Sequence, residues 1–86
     1  MPEVSRFYGI VIRMYFDEHP PPHFHAVYAG ESASFTVDPI GVYEGRIAPR
    51  AIGLVAEWAA RHRDELLENW ERMRRDEAPR RIAPLG

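Results

Sequence analysis

An 86-residue chain with a net charge of −2 makes one small domain, taken as residues 1–86, and a chain this short buries only about two-thirds of the surface its unfolded form exposes. The absence of cysteine excludes disulfides and thiolate metal centres. Packing must hold the core, with room for support from a second copy of the chain or from a metal. The mildly acidic balance excludes a global attraction to nucleic acid, although eleven arginines and no lysine leave a local carboxylate- or phosphate-binding face open.

No apolar run approaches the roughly 20 residues that a membrane span requires. No charged-then-apolar leader opens the sequence, so a cytosolic, non-membrane protein is expected. From Phe7 to Phe16 the residues are largely apolar, β-branched or aromatic, with Tyr8, Ile10, Ile12, Met14 and Phe16 on one parity. This predicts a single strand with a buried even face and a mixed odd face that includes Arg13 and Tyr15. Asp17 to Pro22 is a connection. Three consecutive prolines fix φ near −65° and offer no N–H donors, so they predict a stiff extended arm. Alternation resumes from His23 to Ala29, with Phe24, Ala26 and Tyr28 on one face and His23, His25 and Val27 on the other. Ala29-Gly30 predicts a turn into a third strand, in which Ala33, Phe35 and Val37 alternate with Ser32, Ser34 and Thr36. Ile40 to Tyr43 makes a short fourth strand, before a turn at Glu44-Gly45.

Pro49 suits the first turn of a helix. Ala51, Leu54, Val55, Trp58, Ala59, His62, Leu66, Trp70 and Met73 then form one apolar stripe. A single helix of that span would run about 40 Å, longer than the strands beneath it, which predicts a break around Arg61 to Arg63. Asp64-Glu65 would open the second helix with the charge its dipole favours. Ala78-Pro79 ends it, and Ile82 and Leu85 in the tail can return to the sheet edge. The expected architecture is α+β: an antiparallel sheet of three or four strands, covered on one face by one bent helix or two.

Three of the four histidines lie in His19-Pro20-Pro21-Pro22-His23-Phe24-His25, behind Asp17-Glu18. Imidazole changes charge near neutrality, so the cluster can bind metal, move protons or dock a partner. As metal ligands, His23 and His25 share a strand face about 7 Å apart. Extended prolines put His19 about 12 Å from His23, and a third ligand from Asp17, Glu18 or His62 requires tertiary folding. As acid–base catalysts, His23 and His25 would act on a ribose or phosphate while Arg13 stabilises the anion. Tyr15 would add a stacking surface for single-stranded bases. The structural alternative is an arm wrapped on the sheet edge, its histidines bonded to backbone carbonyls or acidic neighbours.

Ser5-Arg6-Phe7-Tyr8-Gly9-Ile10, Met14-Tyr15-Phe16, the His-Pro-Pro-Pro-His-Phe-His-Ala run, and the later Glu57-Trp58-Ala59, His62-Arg63-Asp64-Glu65-Leu66 and Glu68-Asn69-Trp70 together resemble a family of small bacterial proteins known as a domain of unknown function. The resemblance implies a toxin–antitoxin-like gene context and a small protein partner encoded nearby, and it carries over no catalytic residues. The combined expectation is a non-enzymatic interaction module with His19, His23, His25, Tyr15 and Arg13 as its binding surface. A histidine-dependent ribonuclease or nucleic-acid-binding protein is the alternative, with His23, His25 and Arg13 as its machinery. RNA, DNA and self-association stay open as partners. No cofactor is expected, a divalent metal at His23 and His25 being the exception held open. The outward parity of the two histidines predicts that both point away from the core.

Overall fold

The computed structural model describes residues 2–86. Five strands follow in order: β1 (Glu3–Phe7), β2 (Ile10–Arg13), β3 (His23–Tyr28), β4 (Glu31–Val37) and β5 (Ile40–Gly45). Every neighbouring pair is antiparallel and the spatial order equals the chain order. Two helices follow, α1 (Pro49–Arg61) and α2 (Arg63–Arg74). Among the described residues, no helix is long and apolar enough to cross a membrane.

The expectation of three or four strands is corrected to five. The segment expected as one strand from Phe7 to Phe16 is a hairpin, in which Phe7 pairs with Ile10 across a two-residue turn. Tyr8 and Gly9 both adopt positive φ, 49° and 79°, the conformation of a turn whose twist matches that of its flanking strands. Tyr8 is accordingly exposed instead of facing the core, and Phe7 is buried against Trp58 with ring centroids 5.4 Å apart. A two-residue loop reverses parity, so odd Phe7 and even Ile10 share the buried face, and the turn was concealed because apolar Tyr8 continues the even pattern of Ile10 and Ile12. β2 ends at Arg13, so Phe16 also lies outside the strand and is exposed.

The remaining elements follow the periodicity. Ile10, Ile12, Phe24, Ala26, Ala33, Phe35 and Val37 form the covered face of the sheet, and Ala51, Val55, Trp58, Leu66, Trp70 and Met73 cover it from the helices. The break expected around Arg61 to Arg63 falls on His62, whose φ of −124° interrupts the helical path. Glu65 accepts a hydrogen bond from His62 Nδ1 at 2.6 Å. On the outer faces of the helices Glu57 pairs with Arg61 at 2.8 Å and Glu71 with Arg74 at 3.2 Å.

The tail returns to the sheet as its apolar residues require. Ile82 N–H donates to the Val4 carbonyl at 2.8 Å, and Arg81 donates to the Glu3 carbonyl at 3.2 Å. Buried Asn69 holds the tail from the helix side, donating to the Arg80 carbonyl at 2.9 Å and accepting from Arg80 N–H at 2.8 Å. Trp58 Nε1–H donates to the Ala83 carbonyl at 2.8 Å. The β1 edge is thereby occupied by the chain's own C-terminus, whereas β5 has only β4 beside it.

Trp58 touches Phe7 and Phe24, is fully buried, and anchors the tail. Trp58→Ala should lower the unfolding free energy by about 3–5 kcal/mol, read from urea unfolding curves. A loss below about 1 kcal/mol would show that the sheet, helices and tail do not meet at this ring.

Candidate functional site

The connection between β2 and β3 lowers Glu18 onto the start of β3. Its Oε1 lies 2.5 Å from His25 Nε2 and its Oε2 lies 3.3 Å from His23 Nε2. One carboxylate thus faces two imidazoles, and donor atoms of all three side chains lie within 4.8 Å of one another. Glu18 is the third group that His23 and His25 lacked on sequence grounds. A loop residue has no periodicity from which its direction can be read, so only the folded connection reveals it.

The hydrogen bonds behind the rings define what each nitrogen can do. His23 Nδ1 lies 2.8 Å from the Pro21 carbonyl. A carbonyl only accepts, so Nδ1 carries the hydrogen and Nε2 is the nitrogen turned to Glu18. His25 Nδ1 lies 3.3 Å from Ser34 Oγ, a hydroxyl able to donate or accept. Burial opposes ionisation of Glu18, but the hydrogen bond from His25 and the charges of His25 and His23 outweigh it, and its carboxyl is held below the ordinary value.

Aromatic rings fix the imidazoles. Tyr15 meets the His25 ring edge-on at 4.6 Å, while Trp70 and Tyr43 lie 5.2 and 5.6 Å from the His23 ring. The expected outward orientation therefore needs correction for His23, which is only 6% exposed. It shares the parity of His25, yet at the first position of β3 its ring is covered by Trp70 of α2 and by Tyr43 of β5. His25 remains partly open.

The other expected site residues divide. Arg13 pairs in register with His25 across β2 and β3, beside Ser34 on β4 and Glu44 on β5. Its side chain makes no hydrogen bond or ion pair among the described residues. Tyr15 touches His25 and also lines a cleft of about 200 Å³ with Asp17, Glu18, Trp70, Met73 and Arg74. His19 is exposed and outside the cluster. His62 is bound to Glu65 at the helix junction. Sequence reasoning also missed Tyr43, the extra residue of a bulge between the pairs Ser34 with Glu44 and Phe35 with Val42. A bulge re-aims the side chain it carries, and no alternation of residue types marks it.

Residues 9–71, well over half of the chain, match the model of a family described as a domain of unknown function, DUF4160. No curated protein and no solved structure is similar enough to match.

His23→Ala should cost about 2 kcal/mol in urea unfolding, because it empties a packed position and strands the Pro21 carbonyl. Ser34→Ala removes a single long contact and should cost within about 0.5 kcal/mol. Both residues are buried, so equal losses would contradict the larger packed ring and shorter hydrogen bond of His23.

Proposed function

Because the chain belongs to the DUF4160 family of small bacterial proteins linked to toxin–antitoxin gene contexts, we propose that it is a non-enzymatic interaction module that binds a small protein partner at the β5 edge. The observation that carries this reading is the asymmetry of the two sheet edges. The tail ties down β1 through Ile82 and Arg81. β5 is unpaired on its outer side, and on it Val42 is 46% and Tyr43 52% exposed.

An unpaired strand carrying exposed large apolar residues is a surface that proteins ordinarily block. In β5 no proline or lysine blunts it. The bulge at Tyr43 disfavours regular strand addition, so the partner is held by side chains. Tyr43 is suited to that role: one part of its ring rests near buried His23 and the rest is open. Rigid aromatic groups set against a packed floor dominate the energetics of many interfaces. The ribonuclease reading has less support, since His23 is buried and both imidazoles already face Glu18.

The test is co-purification with the protein encoded beside this chain. Tyr43→Glu and Val42→Arg should each weaken the complex at least about tenfold. Tyr8→Glu, a change to an equally exposed aromatic residue in the opposite hairpin, should leave binding intact. Circular dichroism would verify that all three variants fold. Weakening by Tyr8→Glu alone would move the contact to the β1–β2 turn. Growth arrest abolished by His25→Ala would favour the ribonuclease.

A further inference from the structure

We infer that Glu18, His23 and His25 bind one divalent cation of the zinc type, through a carboxylate oxygen of Glu18 and the Nε2 atoms of both imidazoles. The donor set selects the class of ion. Two imidazoles and one carboxylate suit zinc and its transition-metal neighbours, whereas magnesium and calcium prefer shells built of oxygen.

The spacing suits that class of ion. Zinc bonds of about 2.0–2.1 Å in tetrahedral array place neighbouring donors about 3.3 Å apart. One ligand atom from each of the three side chains lies within 4.8 Å of the other two, so modest side-chain adjustment brings all three to that edge length.

The groups behind the ligands point the same way. Metal-binding histidines characteristically donate their remote N–H to a carbonyl, carboxylate or hydroxyl, which orients the ring and fixes its tautomer. His23 does so to the Pro21 carbonyl at 2.8 Å, and Ser34 Oγ stands 3.3 Å from His25 Nδ1 to take the same part. The rings of Trp70, Tyr43 and Tyr15 hold both imidazoles in place, so little order remains to be imposed by the ion.

Glu18 and His25 are 26% and 23% exposed, and Glu18 lines the cleft formed with Tyr15, Asp17, Trp70, Met73 and Arg74. Three protein ligands with solvent on one side define a site that keeps an exchangeable fourth position. The ion and the β5 docking edge adjoin at Tyr43, but they are tested separately: a partner could bind a chain without the ion, and the ion could bind a chain without a partner.

The experiment is calorimetric titration of the chelator-treated, untagged full chain with zinc chloride, alongside thermal melts. One ion should bind per chain, with chelator lowering the melting temperature by several degrees and zinc restoring it. Magnesium chloride should bind at least a hundredfold more weakly. Glu18→Gln and His25→Ala should each weaken zinc binding at least about tenfold, while His19→Ala and His62→Ala leave it unchanged. Should the first two variants fail to fold, the wild-type chain loaded with cobalt(II) decides. Intense visible bands of a four-coordinate ion, abolished by one equivalent of zinc, support the site. Weak bands of a six-coordinate ion, sub-stoichiometric zinc, or binding lost only with His19 or His62 would overturn it.

Discussion

His23 is placed where one of its nitrogens has no choice. The Pro21 carbonyl 2.8 Å from Nδ1 demands a donor there, and Nε2 is left 3.3 Å from a Glu18 oxygen. A bare nitrogen lone pair turned to a carboxylate in a buried position is unfavourable. A cation between the two would satisfy both groups. This constraint sets the position of the β2–β3 connection, since Glu18 must come down to the start of β3 and the proline arm delivers the carbonyl behind it. Three titratable side chains meet at that point, with aromatic rings on either side.

The sheet serves this arrangement by register. Antiparallel pairing sets Arg13, His25, Ser34 and Glu44 in a row across four strands, and Ser34 is thereby brought within reach of His25 Nδ1. The bulge on β5 turns Tyr43 towards His23. α2 contributes Trp70 to the same ring and Asn69 to the tail. One helix therefore couples the histidine pocket to the chain's C-terminus, and the tail in turn protects the β1 edge. The edge left unprotected is the one nearest the pocket, which places the proposed docking surface and the proposed ion next to each other.

Much of this was legible in the sequence where a period could be read. Period two located the core faces of β2, β3 and β4. Period three to four located the helices, and the mismatch between helix and strand lengths located the interruption at His62. Ile82 announced the returning tail by being apolar after a proline stop. The failures fall where no period exists. Gly9 and Tyr8 make a turn that reverses the buried parity, but apolar Tyr8 extends the even pattern of Ile10 and Ile12, so two strands resembled one. Glu18 lies in a loop, and Tyr43 is an extra residue in a bulge. The face assignment held for His25 and failed for His23, because a residue at a strand's first position can be covered by a neighbouring helix whatever its parity.

The most direct measurement is the set of imidazole nitrogen resonances in the ¹⁵N-labelled, metal-free chain during addition of zinc. With a cation bridging Glu18 to both imidazoles, the Nε2 signals of His23 and His25 shift together and reach their limit at one equivalent, while His23 Nδ1 keeps its hydrogen and His19 and His62 stay unmoved. If the signals of His23 and His25 remain unchanged, or if zinc moves those of His19 or His62 first, the cluster is a hydrogen-bonded clasp without an ion.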